Sequence, residues 1–112
     1  MGTRADFYVG RGEKAEWIGS CNWGDIDRIP SSILASDNVL QYRYYVLEFL
    51  KQHPDSHLPE DGWPWAWNNS ADSDMAYAFD GGYVYATNGE RWFDPIGHPF
   101  DDPVIFPNMK GD

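Results

Sequence analysis

Residues 75–87 read Met75-Ala76-Tyr77-Ala78-Phe79-Asp80-Gly81-Gly82-Tyr83-Val84-Tyr85-Ala86-Thr87. Large and small side chains alternate on both sides of a Gly-Gly pair, and two adjacent glycines supply the positive φ angles that a two-residue hairpin turn requires. The segment predicts two antiparallel strands, and therefore a sheet. Upstream, Ala5-Asp6-Phe7-Tyr8-Val9-Gly10 is rich in aromatic and β-branched residues and ends at Gly10-Arg11-Gly12. Glu16–Cys21 can pair back onto it across the Gly10–Ala15 loop as a second hairpin. Arg91-Trp92-Phe93 supplies a short edge strand.

Between the hairpins lies one helical pattern. Pro30, Ser31, Ser32, Ser36 and Asp37 offer helix-start chemistry, because a Ser or Asp side chain can accept from the free amides of the first turn. The helix is expected from about Asp37 to Gln52, with Leu40, Tyr44 and Leu47, flanked by Val39, Val46 and Leu50, as its buried stripe. Arg43, Glu48 and Lys51 fall on the wet flank, and Pro54 ends the helix by steering residue 53 out of helical space. The expected class is α+β: an antiparallel sheet of four to five strands with one helix on a face, in the order ββαβββ.

The chain has 112 residues, 42% of them apolar, which suits a single domain over 1–112 with enough material for a packed core. Residues 94–112 form a proline-rich acidic C-terminal extension, with Pro95, Pro99, Pro103 and Pro107 every four residues, and are expected to lie extended on the surface. Eighteen Asp and Glu stand against eight Lys and Arg, a formal net charge of -10. Residues 54–112 hold only Arg91 and Lys110 against Asp55, Glu60, Asp61, Asp72, Asp74, Asp80, Glu90, Asp94, Asp101, Asp102 and Asp112. Such a surface repels phosphate backbones and anionic lipids, which argues against direct nucleic-acid or membrane binding and leaves basic protein surfaces as partners. Residues 1–10 lack an apolar signal core and no apolar run is long enough to span a membrane, so a cytoplasmic protein is expected.

Catalytic patterns are thin. Cys21, the one cysteine, excludes a disulfide framework, and no signature around it supports a nucleophile paired with His53, His57 or His98. His53 and His57 have the i, i+4 spacing of a metal pair, but Pro54 interrupts the helix that would aim them. Asp72-x-Asp74 and Asp101-Asp102 are paired carboxylates in wet, loop-like surroundings that would shift no pKa far. Gly10-Arg11-Gly12 lacks the rest of a phosphate loop and reads as a hairpin turn, and Asn68-Asn69-Ser70 reads as a turn. No catalytic residue, metal or cofactor is assigned.

The aromatic content of 17% includes six tryptophans. Half of these rings are expected in the core and half partly exposed. Trp63-Pro64-Trp65-Ala66-Trp67 is extended by its proline, and as a strand it would show three indoles on one face. They serve either as core or as an anchor patch flanked by Glu60, Asp61, Asp72 and Asp74 for a partner's basic or apolar side chains.

The runs Thr3-Arg4-Ala5-Asp6-Phe7-Tyr8-Val9-Gly10-Arg11-Gly12 and Ala15-Glu16-Trp17-Ile18-Gly19-Ser20, with Asp61-Gly62-Trp63-Pro64-Trp65 and Trp92-Phe93-Asp94-Pro95, resemble a family of small bacterial and prophage proteins across most of the chain. The resemblance implies a bacterial or phage origin and carries over no functional residue. In size and charge the chain is also similar to phage-encoded inhibitors of host defence, including anti-CRISPR proteins that imitate DNA with rows of carboxylates. The leading expectation is a non-enzymatic acidic binding module, a phage or prophage inhibitor that engages a basic nucleic-acid-binding surface of a host defence complex. Asp72, Asp74, Asp101 and Asp102 are the expected charge contacts, and Trp65 and Trp67 the aromatic anchors. The alternative is a small-ligand protein that holds a planar or anionic, nucleotide-like molecule with the tryptophan cluster and Arg4, Arg11 or Arg91.

Overall fold

The computed structural model describes residues 3–94, 98–100 and 102–109. Its strands are β1 (Ala5–Val9), β2 (Glu16–Cys21), β3 (Met75–Asp80), β4 (Tyr83–Thr87) and β5 (Trp92–Phe93), and its α-helices are α1 (Ser31–Leu34) and α2 (Val39–Lys51). The chain is α+β, with one main helix packed on a five-stranded sheet of order β2-β1-β3-β4-β5. Three of its four pairings are antiparallel. The fourth, between β1 and β3 at the centre, is parallel, with Ala5 opposite Met75 and Val9 opposite Phe79.

The β3–β4 turn uses Gly81 at φ 60° and Gly82 at φ 91°, positive angles at both turn positions that match the natural twist of a tight hairpin. In the β1–β2 pair Phe7 faces Gly19 and Tyr8 faces Trp17, so Ile18 is an extra residue and the strand bulges there.

Helix α2 begins two residues later than expected. Asn38 is its cap and accepts from the Gln41 amide, while the upstream Pro-Ser-Ser segment makes the separate single turn α1. Its buried residues are Tyr42, Val46, Phe49 and Leu50. Leu40, Tyr44 and Leu47, expected inside, are instead exposed. The helix carries two apolar stripes about half a turn apart, and the one that takes the core sets Tyr42 against Phe79 and Phe49 against Phe7 of the sheet.

Period two divides the sheet into two packed faces. Ala5, Phe7, Tyr77, Phe79, Val84 and Ala86 meet Ile33, Tyr42, Val46 and Leu50 on the helical face. On the other, Tyr8, Ala76, Ala78 and Trp92 are covered by Phe106, with Phe100 and Val104 packed alongside. The C-terminal extension, expected to lie extended on the surface, thus supplies the roof of this second face through Phe100, Val104 and Phe106. Trp92 Nε1 donates to the Pro103 carbonyl at 3.3 Å and the Met109 amide to Asn68 at 2.6 Å.

Arg11, in the β1–β2 turn, ties this roof down. Its Nε donates to Asp80 at 2.9 Å, its Nη1 to Asp102 at 3.0 Å, and its guanidinium lies 3.8 Å from the centre of the Tyr85 ring. An Arg11→Ala variant is expected to lose roughly 1–2 kcal/mol and to be cleaved faster between residues 98 and 109 under limited proteolysis. Cleavage at the wild-type rate would show that Phe106 and Trp92 hold the segment without it.

Candidate functional site

The geometry centres on Asp6, which sequence reading leaves unassigned. Period two sends Phe7 to the helical face and therefore turns Asp6, with Tyr8, into the opposite one. Its side chain is fully buried. A carboxylate removed from water needs a full set of donors, and Asp6 has four. Oδ1 accepts from Ser20 Oγ at 2.5 Å and Trp65 Nε1 at 2.6 Å, while Oδ2 accepts from Ser73 Oγ at 2.7 Å and from Ser70 Oγ.

A second ring of donors orients the first. Trp17 Nε1 donates to Ser20 at 2.9 Å and Trp67 Nε1 to Ser73 at 2.9 Å, so those hydroxyl protons are free to point at Asp6. With the Ser70 proton also on Asp6, Tyr8 is the donor in its 2.6 Å bond to Ser70. Burial raises the Asp6 pKa above its usual value against the lowering effect of these hydrogen bonds. A carboxylate with four protein donors and no exposed surface has no free lone pair for a substrate. The network holds the tryptophan segment onto the sheet and is chemically unsuited to general-base work.

The Trp63–Trp67 segment is consequently not a strand. It is a looped span in which Trp65 and Trp67 stack with centroids 5.4 Å apart and Trp63 sits edge-on to Trp17 at 5.3 Å. All three indoles are half-buried, and Trp63 Nε1 donates to the Trp67 carbonyl at 2.7 Å. Asn69 and Ser70, expected as a plain turn, start a 3-10 turn over Ser70–Asp72, with Ser70 buried on Asp6.

The expected contact residues separate into two places. Asp72 and Asp74 are exposed and flank the buried Ser73 that Trp67 contacts. Asp74 accepts from the Arg4 amide at 2.9 Å, and the Arg4 guanidinium lies 5.7 Å from the Trp67 ring centre. Trp65, Trp67, Asp72 and Asp74 therefore form one patch. Asp102 is elsewhere, in its ion pair with Arg11 beside Asp80 at the far end of β3, about 20 Å away by strand rise. Asp101 lies outside the described residues.

Other sequence candidates take structural positions. Cys21 is fully buried, and burial pushes its thiol up to about 11, which keeps it protonated and poorly nucleophilic. His53 Nδ1 meets the Phe49 carbonyl at 2.8 Å, and the His57 backbone bridges to Ser20. No group of three His, Cys, Asp or Glu among the described residues is arranged to hold a metal ion. No helix among the described residues is long and apolar enough to cross a membrane. Compared with protein-family models, curated proteins and solved structures, the chain gives no significant match.

Proposed function

We propose that the chain is a non-enzymatic protein-binding module that sets the patch of Trp65, Trp67, Asp72 and Asp74 against a basic surface. The carrying observation is the placement of Arg4. Its guanidinium lies over Trp67, and its backbone amide is held by Asp74. Trp67 thus already carries a cation over its face, the kind of contact that a partner's arginine or lysine would make there, with the exposed carboxylates of Asp72 and Asp74 next to the Ser73 that Trp67 contacts.

The charge balance favours the same reading. Arg11, Arg28, Arg43 and Lys51 are engaged by Asp80 and Asp102, Asp25, Glu16 and Glu48, so much of the small basic complement is neutralised internally. The field presented outward is dominated by acids, which would steer the protein to a positively charged, nucleic-acid-binding groove and exclude the natural anionic ligand. On this reading the chain acts as a phage- or prophage-type inhibitor of host defence.

The small-anion alternative has less support. Trp63, Trp65 and Trp67 direct their N–H groups inward, to Trp67 O, Asp6 and Ser73, so these three indoles offer a nucleotide no donor. The groove of about 540 Å³ between α1 and the β3–β4 turn is bordered by Asp37 and Asp94, which disfavours an anion.

The test is affinity capture from bacterial lysate at low and high salt, with wild type, Asp72→Asn/Asp74→Asn and the exposed control Glu13→Gln. Wild type and the control are expected to retain a nucleic-acid-binding protein that an oligonucleotide displaces. The double variant should lose about tenfold or more of it, since close charge pairs across interfaces are worth 1.5 kcal/mol and upward. Capture that is indifferent to the two carboxylates, or insensitive to the oligonucleotide, overturns the proposal.

A further inference from the structure

The groove between α1 and the β3–β4 turn shares no residue with the tryptophan patch. It opens where β5 stops. That strand pairs only with Ala86 and Thr87 of β4, so β4 runs past it at residues 83–85. Leu34, Val84 and Phe100 give the groove apolar walls, with Tyr83 and Tyr85 among them, and it encloses about 540 Å³. Small-molecule sites run roughly from 300 to 1,000 Å³ and combine such walls with a few polar groups.

The side of the groove that joins α1 to α2 can only accept hydrogen bonds. The amides of Leu34, Ala35 and Ser36 donate to the Pro30, Ser31 and Ile33 carbonyls, and the Asp37 amide to the Gln41 side chain at 2.7 Å. The buried Ser36 gives its hydroxyl proton to the Ser32 carbonyl at 3.0 Å. Asp37 adds an exposed carboxylate, and Asp94, which accepts from the His98 amide at 2.9 Å, adds another across the groove. Among the described residues no Lys or Arg lines it. Arg11, over Tyr85, brings Asp80 and Asp102 with it, and the His98 ring lies against Asp94. A groove whose free polar groups accept and whose charge is negative selects a donor that is positive.

Elsewhere the chain fills such a place itself. Arg28 lies over Trp23 and pairs with Asp25, as Arg11 lies over Tyr85 and pairs with Asp80 and Asp102. Tyr83 and Asp37 are the same two kinds of group on the walls of one groove. Tyr83 is 69% exposed, and no described residue sets a cation over its ring.

We infer that this groove binds a small organic ammonium ion with a planar apolar body. The cation is held by Asp37, Asp94 and the accepting Ser36 hydroxyl, and the body lies against Tyr83, Leu34 and Phe100. The groove has far more room than one lysine side chain fills, which favours a free molecule over a residue of a partner protein.

The test is heteronuclear NMR of nitrogen-labelled protein titrated with tryptamine, tryptophol and indolepropionate, which carry an ammonium, a hydroxyl and a carboxylate on the same body. Tryptamine is expected to shift the amide signals of residues 34–37 and 82–85 saturably, with millimolar affinity or tighter. It should bind about tenfold more tightly than tryptophol, the worth of one charged hydrogen bond, and indolepropionate should not bind. Asp37→Asn and Tyr83→Ala should each weaken tryptamine about threefold or more. Asp37→Lys, which supplies the cation from within, should abolish binding. Both positions are exposed, so the circular dichroism spectrum of each variant should match wild type. Asp72→Asn/Asp74→Asn should bind tryptamine as wild type does, which separates this site from the tryptophan patch. Tryptophol or indolepropionate binding as well as tryptamine, or wild-type affinity in Asp37→Asn, overturns the inference. So do shifts confined to Trp65 and Trp67, which would put the amine on the other patch. Butylamine binding as tightly as tryptamine overturns it too, and would give the groove to a lysine side chain.

Discussion

Asp6→Ala is expected to cost the fold on the order of 4 kcal/mol, a large part of what holds a domain of this size together. The substitution removes no great apolar area. It withdraws the shared acceptor of Ser20, Trp65, Ser70 and Ser73, and each buried donor left without a partner costs about 1–3 kcal/mol before relaxation. The second ring fails with it, because Trp17 and Trp67 donate to serines whose orientation Asp6 sets. Asp6→Asn keeps the volume but turns an amide NH2 toward hydroxyl donors, and is expected to lose about half as much. Urea unfolding followed by tryptophan emission measures both. A loss below about 1 kcal/mol for the alanine variant would show that water replaces the carboxylate and that the network is not the anchor of the second face.

The same group has a pH signature. Burial raises the folded pKa of Asp6 above its ordinary 3.8, so across the interval between the two values the folded chain holds a proton that the unfolded chain has released. Its contribution to stability is fully present below the unfolded value and is lost as pH rises through the folded one. Measured against Asp6→Asn, which does not titrate, the wild type is therefore expected to gain relative stability on acidification through that interval. Glu16, whose pKa the Arg43 guanidinium lowers, pushes in the opposite sense, which is why the difference between the two proteins is the informative quantity.

Gly24→Ala is expected to lower the melting temperature by roughly 10–20 °C, corresponding to about 3 kcal/mol in a domain near this length. A Cβ at this position would lie 2.1 Å from the Ala5 Cβ and 3.4 Å from the Cys21 sulfur. The backbone has little freedom to retreat, since the Gly24 amide donates to Thr3 at 2.9 Å and its carbonyl accepts from the Tyr77 hydroxyl at 2.6 Å. Ala5→Gly in the same chain removes the clashing methyl and should recover most of the loss. A single variant that melts within about 2 °C of wild type would mean that the segment yields at no cost.

The elements whose cause is local are legible from the amino acids. Gly81-Gly82 between alternating strands, Gly10-Arg11-Gly12 between two aromatic-rich runs, and Pro54 after a helical pattern each act within a few residues. What is not legible depends on groups far apart in the chain. The donors of Asp6 come from residues 20, 65, 70 and 73, so no window contains the network. Its one visible sign is a carboxylate at the alternate position of a strand that otherwise reads as core. The phase of α2 is ambiguous for a related reason. Leu40, Tyr44 and Leu47 have as good a helical period as Tyr42, Val46 and Phe49, and only the sheet facing the helix decides between them. The C-terminal prolines exclude regular structure there, but nothing local reveals that Phe106 roofs Tyr8 and Trp92.

The parallel pairing of β1 with β3 also sets a timetable for the nascent chain. Each partner lies 70 residues from its mate, so the middle of the sheet cannot close until Met75 and its successors have been made. At about 5–20 residues per second, the N-terminal hairpin waits several seconds with one strand edge open and with Trp65, Ser70 and Ser73 still to arrive at Asp6. During that interval an ionised aspartate in the open strand favours water over another chain's edge, as charged residues do on exposed strands. The residue that locks the finished fold thereby also guards the unfinished one.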